Sequence, residues 1–261
     1  MITKLFMCGE KRMRKFNLDD HSFSKTYYLD LNIHPLKFKK NINNQKLLEQ
    51  KNHPAFPVVV LKNSSLRLMV KTVQRSEIPE RKILENFIRE KYRQVHQASV
   101  CEFSSTLFAG YAGAEMQVVI GMEHLSAVDA FLERYLDAPI EQILTQLSNV
   151  PVQRSQIVEI GNLAALDMEK AKLMVAFLVF HLSQKNIDWA VCTGTAAVRY
   201  VLQKMGLQFH VIEKADPEVL GKAKLQWGSY YQQKPYVLAI DVAAALQVTQ
   251  QFYIFSESID Q

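Results

Sequence analysis

Residues 156–193 read QIVEIGNLAALDMEKAKLMVAFLVFHLSQKNIDWAVCT, and this stretch decides the fold. Gln156 to Ala164 is a strand, Asp167 to Lys185 a long apolar-striped helix, and Asp188 to Thr193 a buried strand. Downstream the rhythm continues. Thr195 to Met205 is a second helix stopped by Gly206, Leu207 to Glu213 alternates through Leu207, Phe209 and Val211 as a strand does, and Tyr236 to Ile240 is a last strand. Upstream, Val58 to Val60 and Ser65 to Val73 are strand-like, and Pro79 opens a helix over Glu80 to Gln97. Ile83, Leu84, Phe87, Ile88, Tyr92 and Val95 make its stripe. Ser105–Gly110 and Glu115–Met122 read as strands joined by Gly-Tyr-Ala-Gly-Ala. A β-α-β-α-β order after antiparallel-type strands predicts a single α/β or α+β domain, with a central mixed sheet flanked by helices.

The chain has 261 residues, of which 48% are hydrophobic and 22% charged, so a disordered polymer, a collagen and a small disulfide scaffold are excluded. Its formal net charge is +5, but residues 1–53 hold 11 basic and 5 acidic side chains against 20 and 21 in the remainder. The domain is therefore neutral and the charge local. Residues 1–53 read as a basic, loosely ordered arm, 54–250 as the folded domain and 251–261 as a C-terminal tail. No aromatics are interleaved with Arg as in a single-strand binder, so no nucleic-acid partner is expected; an anionic membrane surface is the partner such an arm would suit. Cys8, Cys101 and Cys192 are scattered and have no zinc-ligand spacing with the seven histidines, so no metal is expected. The longest apolar run, Leu173 to Phe180, is far below the ~20 residues that span a bilayer, and no secretory-type run follows the basic start. A cytoplasmic chain is expected, with any release by a non-classical route.

Glu159 is the first chemical candidate. A carboxylate inside an apolar strand must be paired or carry a raised pKa, which reads either as a general base or substrate clamp or as an ion pair with Arg154 or Arg199. Asn162 reads as a donor to a ligand carbonyl or as a local backbone bond. Asp137 ahead of Pro139 reads as a helix N-cap, and Trp227-Gly228-Ser229-Tyr230-Tyr231 as an aromatic loop, either packed over the sheet edge or set at a membrane interface. No Gly-x-Ser-x-Gly elbow is present, and Thr193-Gly194-Thr195 is a strand-to-helix turn too short for a phosphate loop.

Four stretches, Ala130–Leu144 (AFLERYLDAPIEQIL), Gln156–Leu166 (QIVEIGNLAAL), Asp188–Leu207 (DWAVCTGTAAVRYVLQKMGL) and Trp227–Val242 (WGSYYQQKPYVLAIDV), resemble the thermostable haemolysin family, the δ-type haemolysin group, over roughly residues 65–246. That family is in turn similar to GNAT-type acyltransferases and acyl-homoserine-lactone synthases. The resemblance implies a GNAT-like sheet and lysis of erythrocytes with no cofactor required. Its alternative is an acyl-CoA or acyl-carrier dependent N-acyltransferase making a small acylated product. On the GNAT pattern the strand before the long helix splays from its neighbour. Glu159 and Asn162 are then the catalytic candidates, and Gly161, Leu163, Ala164, Ala165 and Met168 the contacts to an acyl-CoA thioester. Two positions depart from that pattern. Leu166 to Ala171 lacks the glycine-rich phosphate cradle and places Asp167 and Glu169 where phosphates belong, which suits a helix N-cap instead. Leu202 stands where many GNAT enzymes have the Tyr that protonates the leaving thiolate, and Tyr200 lies about 200° round the helix. No alternating ~10-residue strands or hydrophobic helix hairpin supply a pore. Oligomeric state stays open.

Overall fold

Alternation along the strands divides their apolar residues between two faces of one sheet. In Arg67–Gln74 (β4), Leu68 and Val70 enter one core and Val73 another; in Thr106–Ala112 (β5), Phe108 enters the first while Leu107 and Ala109 enter the second. The computed structural model describes residues 13–16, 27–30, 56–126 and 128–256. Of the predicted arm, Met13–Phe16 (β1) and Tyr27–Asp30 (β2) pair as a separate antiparallel ribbon, and the remainder up to residue 53 lies outside the described residues.

The main sheet has nine strands. With Val58–Leu61 as β3, Glu115–His124 as β6, Ile157–Ala165 as β7, Trp189–Gly194 as β8, His210–Lys214 as β9, Tyr236–Asp241 as β10 and Tyr253–Ser256 as β11, the order is β11-β3-β4-β5-β6-β7-β8-β10-β9. Every neighbouring pair is antiparallel except β7 with β8, so the expected mixed sheet flanked by helices is present. One face is covered by the helices Met168–Ser183 (α3), Ala196–Lys204 (α4) and Val242–Phe252 (α5). The opposite face carries Ile78–His96 (α1), Ile140–Ser148 (α2) and short 3-10 segments at Phe131–Tyr135, Pro217–Trp227 and Tyr230–Gln233.

Helix α3 is apolar round most of its circumference because it is enclosed by the sheet and two helices. Leu173, Met174, Ala176, Phe177, Leu178, Val179 and Leu182 are all buried. Its start is the one expected: the Asp167 carboxylate accepts the Lys170 N–H at 2.9 Å.

Three local expectations change. Pro139, not Asp137, occupies the N-cap of α2, and the free Ile140 N–H goes to the Glu133 carboxylate at 3.0 Å. Leu207 and Phe209 fall in the connection before β9, and Val211 is 50% exposed, because β9 is an edge strand held only by β10. The sheet also runs past residue 250: α5 returns the chain to β3, where Tyr253–Ser256 adds an edge strand.

Candidate active site

The single parallel contact in the sheet is short. Ile157–Ile160 of β7 pair with Trp189–Cys192 of β8, and there the ladder stops although both strands continue. Each is drawn to its other neighbour. Ala164 and Ala165 pair with Val119 and Val118 of β6, while Thr193 and Gly194 pair with Val237 and Tyr236 of β10. The strands part like an opening V, and the edge of residues 161–163 that faces the gap has no strand partner among the described residues.

A bulge in β7 widens the opening. The register passes from Val119↔Ala164 to Gly121↔Gly161, leaving one extra residue on β7, and Asn162 takes a left-handed φ of 50° there. Its amide makes three bonds: Oδ1 accepts from the Ser104 N–H at 2.9 Å and the Ser104 hydroxyl at 3.0 Å, and Nδ2 donates to the Glu102 carbonyl at 3.2 Å. Asn162 thus ties the loop before β5 to the rim. Gly121 opposite leaves the space for this, since a Cβ would lie 2.5 Å from Ser104 Oγ and 2.8 Å from Asn162 Oδ1.

A cavity of about 800 Å³ passes through the gap from one face of the sheet to the other. Its mouth lies on the face of the 3-10 segments. There the Glu159 carboxylate accepts the N–H of Phe131 at 2.6 Å and that of Leu132 at 3.1 Å, so it caps the Phe131–Tyr135 turn. Neither Arg154 nor Arg199 reaches it. Arg154 is bound to Glu133 and Glu141, each at 2.7 Å, and Arg199 donates to the Gly194 carbonyl. Burial, with the charges of Glu133 and Glu123 added, lifts the Glu159 carboxyl to about 7 against the pull of its two N–H donors. Glu133 goes the other way, to about 2, because Arg154 and two backbone N–H groups hold it ionised.

Aromatic rings form the wall opposite. The hydroxyls of Tyr135 and Tyr231 hydrogen-bond each other, Tyr230 donates to the Thr193 carbonyl at 2.9 Å, and the Trp227 ring packs against Phe131, Tyr230 and Tyr231. Burial raises the pKa of both Tyr135 and Tyr231. The bend that delivers these rings needs Gly228: at φ 51° a Cβ would stand 2.0 Å from the His96 carbonyl oxygen at the end of α1. Arg134 lies flat on Phe131, 4.5 Å from the ring centroid. On the β8 side, alternation sends Cys192 into the main core and turns Thr193 to the mouth. The Thr193 hydroxyl oxygen is buried there without a hydrogen-bond partner. The Cys192 thiol, pushed up to about 12 by burial and by Glu159, is protonated and inert.

Beyond the gap the cavity turns apolar. Ile160, Leu163, Val175, Leu178, Leu182, Val198, Leu202 and Leu207 line it beneath α3 and α4. Leu202, standing where the resemblance would place an acid, is a buried wall residue of this half.

The structure brings Glu159, Gly161, Asn162 and Leu163 to the cavity wall. Ala164 and Ala165 are fully buried in the cores beside it, and Met168 packs against the main core, outside the lining. Thr193, Glu123, Ser104, Phe131 and the Tyr135–Tyr231 pair were not singled out as site residues by sequence reasoning. Only the density of aromatics at 227–231 pointed toward any of this group. Asp167 as N-cap and Glu169, paired with Lys172 at 2.9 Å, occupy the start of α3 with negative charge. No helix among the described residues is long and apolar enough to cross a membrane.

The model of a family described as thermostable hemolysin matches residues 74–246. A comparison with curated proteins finds no match. Among solved structures, the chain is similar to the acyl-homoserine-lactone synthase LasI, with 12% identity and a TM-score of 0.47 over 70% of this chain and 93% of that one. It is similar to FeeM, an N-acyl amino acid synthase from uncultured soil microbes, with 13% identity and a TM-score of 0.45 over 68% and 93%. An N-acetyltransferase from Staphylococcus aureus Mu50 gives 10% identity and a TM-score of 0.43 over 67% and 98%.

Proposed function

The chain belongs to the thermostable hemolysin family, and from that premise, with the open strand pair of its sheet, we propose that it is an acyl-thioester-dependent N-acyltransferase. The observation that carries this reading is the parting of β7 from β8 beyond Ile160 and Cys192, with a cavity of about 800 Å³ running through the gap. An exposed strand edge can pair with the amides of a pantetheine arm, and the apolar half of the cavity suits an acyl chain. The start of α3 does not suit the diphosphate of CoA, because Asp167 and Glu169 put carboxylates where that group would lie. The donor is therefore written as the pantetheine thioester that CoA and acyl-carrier proteins share.

In this reading the acceptor amine sits at the mouth between Glu159 and the thioester carbonyl. The amine nitrogen bonds the carbonyl carbon, the C–S bond breaks, and Glu159 takes the proton that nitrogen loses. A group titrating near neutrality suits that task. The Thr193 hydroxyl, unpartnered in the free protein, donates to the carbonyl oxygen as charge grows on it. The electron pair leaves with sulfur. A thiolate is a far better leaving group than an amide nitrogen or an alkoxide and can depart without a dedicated acid, so Leu202 at the position where many GNAT enzymes have Tyr is no obstacle. Lysis of red cells is then a property of the acylated, surface-active product, and the basic arm is a separate means of approaching an anionic surface.

The test titrates acyl-CoA and acyl-carrier thioesters into the purified full chain by calorimetry, and incubates the chain with washed erythrocytes with and without thioester and an amine mixture. Binding of a thioester, with lysis only in the complete mixture, is expected. Lysis by the protein alone, with no binding of any thioester, would overturn the reading in favour of a direct toxin.

A further inference from the structure

We propose that the apolar half of the cavity is a length gauge for the acyl chain, closed at its far end by Leu182, Leu202 and Leu207; this rests on the acyl-thioester reading above and adds the chain class that the site accepts. Strand β7 leads up to the start of α3, and α3 runs back down across the same face of the sheet. Val175 therefore stands at the level of the gap and Leu182 near the foot of β8, beside Ala190, which also lines the cavity. The seven helical steps from one to the other span roughly 10 Å, which accommodates on the order of eight methylenes in extended form. No polar side chain competes in this half: its remaining walls include Ile160, Leu163, Leu178 and Val198, and the one side-chain heteroatom, the Cys192 sulfur, is held as a neutral thiol.

The gauge also accounts for Leu202. A tyrosine there would bring a hydroxyl and a larger ring into an apolar wall, whereas leucine, 5% exposed, leaves it uniformly apolar. A chain filling this half gains about fourfold in affinity for each methylene taken out of water. The gain stops when the tail meets Leu182, Leu202 and Leu207, because a well-packed floor yields to added atoms only by displacing its own side chains. The chemical class is thus a medium-length saturated acyl group, of about eight to ten carbons once the carbonyl end is counted.

A calorimetric series of saturated acyl-pantetheine and acyl-carrier-protein thioesters from four to sixteen carbons, titrated into the full chain, reads the gauge. Affinity is expected to climb steeply to a maximum near eight to ten carbons and to fall for longer chains. In Leu202→Ala the maximum is expected to move about two carbons longer, while Leu202→Met, which conserves volume and the fold, keeps it in place. Thioesters that bind with affinity independent of chain length, or a folded Leu202→Ala with an unmoved maximum, overturn the gauge and leave the acyltransferase reading standing. Should Leu202→Ala fail to fold, the wild-type series decides alone. Binding of no thioester at any length overturns the acyltransferase reading itself, and the gauge with it.

Discussion

Replacing Glu159 with Gln separates what this carboxylate does for the fold from what it does for chemistry. Burial lifts its pKa from the ordinary 4.5 to about 7, which corresponds to about 3 kcal/mol of preference for the protonated form in the folded state. The sign follows directly. A folded pKa above the unfolded one means that the stabilising, protonated state is fully present below about pH 4.5 and is lost as pH rises through about 7. Between pH 5 and pH 8 Glu159 should therefore remove about 2.5 kcal/mol from the unfolding free energy. Glutamine has nearly the shape of protonated glutamate and keeps one oxygen to accept from Phe131 or Leu132, but it cannot ionise. Urea unfolding at the two pH values should find Glu159→Gln close to the wild type at pH 5 and about 2 kcal/mol more stable at pH 8. Thiol release from an acyl-thioester should move oppositely: wild-type rate rises with pH through about 7, while the variant loses about 10²–10⁴-fold and shows no inflection there. Parallel stability curves for the two proteins, or an active variant with an unchanged pH profile, would refute the reasoning.

Three further outcomes are expected. Thr193→Val removes a hydroxyl that has no partner in the free protein; thermal melting should show stability unchanged or raised by about 1 kcal/mol, while turnover drops about 10²-fold if that hydroxyl meets the carbonyl oxygen. Asn162→Gly keeps the left-handed backbone but cuts the three bonds to the 102–104 loop, whereas Asn162→Ala cuts the bonds and strains a φ of 50°. The alanine variant should melt lower than the glycine one by about 1 kcal/mol, and equal melting points would contradict the bulge. Arg154→Ala strands Glu133 and Glu141, so it should destabilise by about 2 kcal/mol at pH 7. Below about pH 4.5 the wild type itself begins to lose Glu133's contribution as pH falls toward about 2, and the gap in urea midpoint between the two should narrow.

Local pattern revealed most of the elements and few of the contacts between them. The stripe of Leu84, Ile88, Tyr92 and Val95 marks α1 because a surface helix repeats its buried residues every three to four positions. Asp167 and Gly206 announce the ends of helices through backbone chemistry that acts within a few residues. Leu207–Phe209 misled, since alternation signals a buried face only where a second strand covers it, and β9 lies at the sheet edge. Glu159 was conspicuous for its setting, yet its partners were not legible: backbone N–H groups of Phe131 and Leu132, 27 to 28 positions away, are invisible to any reasoning about side-chain charge.

By itself the sequence determined that its excess positive charge lies in residues 1–53, that a mixed sheet carries helices, and that one carboxylate is set in an apolar strand. These follow from short-range physics: periodicity, capping and the cost of burying charge. The resemblance implied a splayed strand, but only the tertiary structure shows that β7 and β8 separate after Ile160 and Cys192, and why: each strand's further pairing belongs to a different neighbour, β6 for one and β10 for the other. Competition between partners distant in the chain opens the gap, brings Thr193 and Glu159 to the lining of one cavity, and makes Leu202 part of a hydrocarbon wall.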